Sequence, residues 1–283
     1  MDSPAARLKK LLAGPGLVLM PCCFDALSAR LIERAGFPLT FMSGFGVSAT
    51  RLGLPDTGLV SYGEMVDHGR AICASIGIPV IGDGDTGYGN AMNVQRTVAG
   101  YAQAGFAGIM IEDQVWPKRC GHVGGKQVVE RHEAVQRIRA AADCRAEGQD
   151  IVIMARTDAR ATHGLDEAIA RAKAFAEAGA DITFVEAPQS VEELARIGRE
   201  APAPTMANML EHGQTPILPP RDLEAMGFKI AAYPLTLLSA AVEAMQKALA
   251  ALAKGEKASG IDFADLRELI GFPHYLAAEK RYQ

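Results

Sequence analysis

The chain has 283 residues, with 29 Lys+Arg against 33 Asp+Glu for a net charge of −4, and 49% hydrophobic against 22% charged residues. That composition excludes a disordered chain, and with no basic run longer than Lys9-Lys10 it gives no footprint for nucleic acid or an anionic membrane. Five cysteines without C-x-x-C spacing fit a reducing cytoplasm, and the first apolar run, Leu17–Met20, is too short and too late for a signal peptide or a membrane span.

In chain order, apolar β-rich runs alternate with helical patterns. A strand at Leu17–Met20 is followed by a helix at Asp25–Ala35, and Leu39–Met42 by Tyr62–Ser75. Pro79–Ile81 precedes Ala91–Ala104, Gly108–Ile111 precedes Glu130–Ala146, and Ile151–Ala155 precedes Asp166–Ala178. Ile182–Val185 then leads into Val191–Arg199, and strands at Pro204–Ala207 and Lys229–Ala232 complete the set. Four helical patterns end at Gly36, Gly105, Gly179 or Gly227, each followed by the next strand, where a helix C-cap needs positive φ. Eight alternations with near-continuously apolar strands predict one (β/α)8 TIM barrel over residues 1–283; a doubly wound open sheet is the alternative. Helical patterns at Leu235–Lys254 and Phe263–Ile270 exceed what a barrel needs, so a C-terminal extension from about 235 to 283 packs either on another subunit or on the barrel itself.

The residues after each run are polar: Ser43-Gly44, Asp83 and Asp85, Glu112-Asp113, Arg156 and Asp158, Glu186, Asn208 and Tyr233. In a parallel barrel these ends share one mouth. Asp83 and Asp85 share a side if the strand persists, and with Glu112 and Glu186 they form an acidic set without His or Cys. Like charges so close raise one another's pKa unless a cation sits among them, and oxygen-only ligands select a hard ion, Mg2+. A glycine turn with two solvated Asp is the bland alternative. Between the fourth strand and its helix, Lys118-Arg119-Cys120-Gly121-His122 surrounds one thiol with cations, which would make Cys120 a proton donor or nucleophile, and Gly121, Gly124 and Gly125 could hinge a lid.

These motifs, together with Gly53-Leu54-Pro55-Asp56, Asp83-Gly84-Asp85-Thr86-Gly87-Tyr88-Gly89, Ile111-Glu112-Asp113-Gln114, Ala155-Arg156-Thr157-Asp158-Ala159 and Phe184-Val185-Glu186-Ala187, resemble the isocitrate lyase / phosphoenolpyruvate mutase superfamily. The resemblance runs from Phe24-Asp25-Ala26 to Gly271-Phe272-Pro273. It implies a (β/α)8 barrel, Mg2+ (or Mn2+ in its place) at Asp85 with Asp83, Glu112 and Glu186 acting through water, and a small di- or tricarboxylate substrate. It also implies homotetramers that exchange a C-terminal helix. The Cys of the K-R-C-G-H motif marks the lyase branch. The implied reaction is retro-Claisen cleavage of a 2-substituted malate, of alkylmalate or methylisocitrate type, to an α-keto acid and a second carboxylic acid. Asp56 is the candidate base, and Cys120, in its motif with Lys118, Arg119 and His122, is the acid. Ser43, Gly44, Gly121, Asn208 and Arg156 are the expected substrate contacts, with Arg156 supplying a bidentate fork. Oxaloacetate decarboxylase or phosphonopyruvate mutase or hydrolase chemistry on the same scaffold is the alternative, and a non-catalytic keto-acid binder is a third reading.

Overall fold

Eight parallel strands close in sequence order: β1 (Val18–Cys23), β2 (Thr40–Met42), β3 (Val80–Asp83), β4 (Gly108–Glu112), β5 (Val152–Thr157), β6 (Ile182–Val185), β7 (Thr205–Asn208) and β8 (Ile230–Tyr233), with β8 pairing back onto β1. The structure, a computed structural model, describes residues 2–121, 124–202 and 204–283. Helices α1 (Pro4–Ala13), α2 (Ala26–Arg34), α3 (Gly44–Val47), α4 (Tyr62–Ser75), α5 (Ala91–Ala104), α6 (Arg131–Ala146), α7 (Ala159–His163), α8 (Leu165–Glu177), α9 (Val191–Glu200) and α10 (Pro220–Ala225) fill the connections, and a π-helical turn, Ser48–Leu52, follows α3. This is the expected TIM barrel. Its chain divides into two compact units, Met1–Thr236 and Leu237–Gln283.

Local chemistry sets the helix ends. Ser61 Oγ accepts the Glu64 N–H and Glu64 Oε2 accepts the Ser61 N–H, a capping box that starts α4 at Tyr62. The four stop glycines have φ of 85°, 99°, 107° and 100° at Gly36, Gly105, Gly179 and Gly227, the left-handed caps the pattern predicted. Helices α3, α7 and α10 escaped the periodicity because they are short, four to six residues, and α1, which precedes the first strand, was not among the predicted elements. Helix α1 begins at Pro4 after Ser3, whose Oγ accepts the Ala6 N–H.

Strands β1, β3, β4, β5, β7 and β8 run past the apolar runs that predicted them. Ladder pairing uses only the backbone, so it continues where side chains turn polar: Asp83 is in register with Met110, and Glu112 with Arg156. Inward positions recur every second residue. The upper apolar layer of the interior holds Cys22, Ile81, Met110, Met154, Phe184, Met206 and Ala232. Below, Leu8 of α1 joins the same core, fully buried, with Leu11 and Leu12 packed against it.

In the second unit, α12 (Phe263–Leu269) and α13 (Phe272–Glu279) follow α11 (Thr236–Ala253), and none of these helices has a buried residue. Met245, Leu249, Leu252, Phe263, Phe272 and Tyr275 are exposed. Among the described residues no helix is long and apolar enough to cross a membrane.

Candidate active site

Stepping two residues beyond the apolar layer along each strand direction gives Asp83 after Ile81, Glu112 after Met110, Arg156 after Met154, Glu186 after Phe184 and Asn208 after Met206. The site is thus the next inward layer of the barrel, raised into the mouth. Asp85 arrives differently. β3 ends at Asp83, and Asp85 has φ +46°, so it turns out of the strand instead of continuing the alternation. Asp83 Oδ1 accepts the Asp85 N–H at 3.0 Å and Oδ2 accepts the Gly44 N–H at 3.2 Å. An added Cβ at Gly44 would sit 2.5 Å from Asp83 Oδ2.

Lys118 is buried between Asp56, which accepts a hydrogen bond from its ammonium, and Asp85, whose Oδ1 is 2.8 Å away. Although burial pulls this ammonium down, Asp85, Asp83 and Asp56 outweigh it and hold its pKa well above the usual lysine value. Arg156 lies under Gly121. Its Nε and Nη2 donate to Asp158 at 2.9 and 3.0 Å, and the guanidinium also faces Glu112 at 3.5 Å and Glu186 at 3.4 Å. Asn208 Nδ2 is 3.4 Å from both Glu186 carboxylate oxygens. A Cβ on Gly121 would meet Arg156 Nη2 at 2.5 Å and Glu186 Oε2 at 2.7 Å, so only glycine lies this close.

A cavity opens above this layer. Of the expected residues, Ser43, Asp56, Asp83, Lys118, Arg119, Cys120, Gly121, Arg156 and Asn208 line it, while Phe41, Phe45, Phe184, Leu210 and Leu235 supply apolar wall. A second cavity shares Asp56, Lys118, Arg119 and Cys120 and adds Trp116 and Lys126. Trp116 rests on Tyr88, ring centroids 5.9 Å apart.

The expected residues differ in what they face. Asp85, Glu112, Glu186 and Gly44 are absent from the cavity wall, and the Gly44 N–H serves Asp83. The Arg156 fork is occupied by Asp158 and does not stand open. The four carboxylates do not converge on one point: no three of the described His, Cys, Asp and Glu side chains are grouped to hold an ion. Both Asp83 oxygens accept backbone N–H groups, and Glu186 is turned to Arg156, Asn208 and the Ala187 N–H. His122 lies outside the described residues.

The charges nonetheless fit a hard cation. Among the described residues, buried Lys118, Lys126 and Arg156 face buried Asp56, Asp83, Asp85, Glu112, Asp158 and Glu186. Burial pushes the Asp85 carboxyl up to about 6, with Lys118 opposing and Asp83 and Asp56 adding repulsion. Burial likewise raises Glu112 well above the carboxylate range, against Arg156, and its Oε1 is buried without a hydrogen-bond partner among the described residues. With no three-carboxylate cage, the fit is to an ion that takes one or two direct carboxylates and fills its shell with water, as Mg2+ does.

Sequence reasoning put Asp158 at the mouth and Gln114 in a motif but assigned no role to either, nor to Lys126. Asp158 is fully buried and joins Arg156 to Lys126, whose Nζ is 2.9 Å from its Oδ1. Their shared signal was weak: Asp158 stands two residues after Arg156, but Lys126 is 32 residues distant from it.

A family model described as phosphoenolpyruvate phosphomutase matches residues 8–253. The chain is 44% identical over 283 residues to 2,3-dimethylmalate lyase of Eubacterium barkeri, covering 98% of each. Among solved structures, oxaloacetate acetylhydrolase in complex with the inhibitor 3,3-difluorooxalacetate gives a TM-score of 0.95 at 36% identity over 99% of this chain and 97% of that one. Phosphonopyruvate hydrolase in complex with oxalate and Mg2+ gives 0.88 at 30% identity over 99% of each.

Proposed function

The chain belongs to the phosphoenolpyruvate phosphomutase family, within the phosphoenolpyruvate mutase/isocitrate lyase superfamily, and from that premise we propose that it is a Mg2+-dependent carbon–carbon lyase acting on a 2-substituted malate of alkylmalate type. The observation that carries this reading is Cys120 in the wall of the same cavity as Asp83, Arg156 and Asn208. A carboxylate-binding floor under a thiol suits cleavage to a carbanion that must be protonated on carbon.

Asp85 would hold Mg2+, with Asp83, Glu112 and Glu186 as the neighbouring carboxylates, and the ion would supply positive charge for a hydroxycarboxylate substrate. Asp56 takes the substrate's C2 hydroxyl proton, with Lys118 steadying the resulting negative charge. As the C2–C3 bond breaks, its electron pair remains on C3 as a carboxylate enediolate, and the Cys120 thiol delivers its proton there. Return of the proton from Asp56 to the Cys120 thiolate restores both groups. Arg156, Asn208 and the Ser43 hydroxyl orient the carboxylates, and Gly121, packed on Arg156, keeps water from the carbanion. Phe41, Phe45, Phe184, Leu210 and Leu235 receive the alkyl groups, each buried methylene contributing about 0.8 kcal/mol. We take the protein to act in the cytoplasm as a homotetramer whose copies cover the exposed apolar residues of α11–α13 and exchange a C-terminal helix.

The test is incubation with Mg2+ and 2,3-dimethylmalate, 2-methylisocitrate, isocitrate, oxaloacetate and phosphonopyruvate in parallel, with both products identified by mass spectrometry. Pyruvate and propionate from 2,3-dimethylmalate are expected. Carbon dioxide or phosphate release without any paired carboxylic acid product would overturn the reading in favour of decarboxylation or phosphonate chemistry.

A further inference from the structure

The mouth contains a cation that the reaction above does not use. Lys126 is buried, and its ammonium donates both to Asp158 Oδ1 and to the carbonyl oxygen of Gly121, five residues earlier. That carbonyl belongs to the residue directly after Cys120. On the other side of the thiol, the buried Gln114 side chain grips the Arg119 backbone twice: its Oε1 accepts the Arg119 N–H at 2.9 Å and its Nε2 donates to the Arg119 carbonyl at 2.8 Å. The ends of this segment are tied as well. Gln114 bridges Val128 in antiparallel fashion, the Val115 N–H donates to the Gln127 carbonyl, and the Val129 N–H donates to the Asp113 carbonyl.

Cys120 is therefore held by the main chain on both flanks, and the two grips differ in what they are anchored to. Gln114 is local. Lys126 reaches across to Asp158, which is fixed by the Asp113 carboxylate accepting its N–H at 2.9 Å and which itself orients Arg156. One carboxylate thus fixes the guanidinium on the cavity wall and, through one ammonium, the peptide beside the thiol. We propose that Lys126 is a positioning residue for Cys120, fixing the thiol over the cavity in register with Arg156 by joining the Gly121 carbonyl to Asp158. This deepens, and for its kinetic arm rests on, the lyase reading. The span runs from a carboxylate to a carbonyl, two acceptors that one multiple donor can join, and the Lys126 ammonium does so while also pairing with the Asp158 charge.

The test has an arm independent of turnover. In the metal-free full-length protein, the alkylation rate of each cysteine by iodoacetamide is followed by peptide mass spectrometry for wild type, Lys126→Met and Lys126→Arg. The expected result is a change of at least fivefold at Cys120 in Lys126→Met, substantially reversed in Lys126→Arg, with the rates at buried Cys22, Cys23 and Cys144 unchanged. Equal Cys120 rates in wild type and Lys126→Met would overturn the proposal. So would a parallel rise at all the cysteines with a fallen melting temperature, which would make Lys126 a general structural support. In the kinetic arm, Lys126→Met lowers kcat at least tenfold with a smaller change in KM, and loses most of that effect in a Cys120→Ser background. Equal fold-losses in both backgrounds would show that it does not act through the thiol. If no substrate is turned over by wild type, the lyase reading fails while the alkylation arm still decides the role of Lys126.

Discussion

Replacing Asp158 by Asn keeps the shape of a fully buried side chain and removes its charge. The carboxylate accepts Arg156 Nε at 2.9 Å, Arg156 Nη2 at 3.0 Å and Lys126 Nζ at 2.9 Å. An amide whose oxygen takes the Oδ1 place retains Nη2 and Lys126 as partners, but its NH2 then confronts Nε, donor against donor. Removing one partner of a buried ion pair costs about 3–5 kcal/mol. The lower end applies because Arg156 retains Glu112 and Glu186 at 3.5 and 3.4 Å and Lys126 retains the Gly121 carbonyl. About 3 kcal/mol in a chain of this size lowers the melting temperature by roughly 6–12 °C. If the same energy is lost from transition-state binding, kcat/KM falls roughly a hundredfold. Thermal melts followed by circular dichroism, beside steady-state kinetics on the best substrate, measure both. A melting temperature within 2 °C of wild type together with kcat/KM within about threefold would refute the view that Asp158 organises the floor of this cavity.

Cys120→Ser should lower cleavage by about two orders of magnitude without altering the melting temperature, and a near-normal rate would remove the thiol from the reaction. For Asp85, whose carboxyl lies at about 6 in the fold against 3.8 ordinarily, the folded chain keeps a proton between about pH 4 and 6 that the unfolded chain has lost, so metal-free stability declines as pH rises through that window. Mg2+ binds the ionised form, so its stabilisation, read as a rise in melting temperature, should be large at pH 7.5 and small at pH 5; equal shifts at both values would contradict Asp85 as its ligand, and full activity in EDTA would remove the metal altogether. Gly44→Ala, with a Cβ 2.5 Å from Asp83 Oδ2, should displace that carboxylate and lower kcat/KM about tenfold or more, whereas unchanged kinetics would deny Asp83 a role. Light scattering should find an oligomer, and a monomer would contradict the covering of Met245, Leu249 and Leu252 by other copies.

The barrel was legible in the sequence because its signals are local: apolar runs of strand length, and a glycine after four of the helices. The site was legible as a list of residues at strand ends, since an inward column continues into the mouth with period two. It failed where the chain leaves that period. Asp85 departs by a positive φ that no alternation rule foresees. Arg156 reads as an open fork until Asp158 is seen folded back onto it, and Lys126 reads as a loop lysine until Asp158, distant in sequence, is brought to its ammonium. Pairings of this kind depend on register between β4, β5 and their loops, which composition does not encode.

The chain's single indole belongs to Trp116, which stands against Tyr88 at the edge of the second cavity. Tryptophan emission from this protein therefore originates at the mouth and carries no contribution from the barrel interior. A melt followed by that emission registers the parting of one aromatic pair, while far-ultraviolet ellipticity registers loss of strands and helices. The interval between the two midpoints is a thermometer for how far the mouth loosens before the barrel does, built into the molecule with no added dye or label.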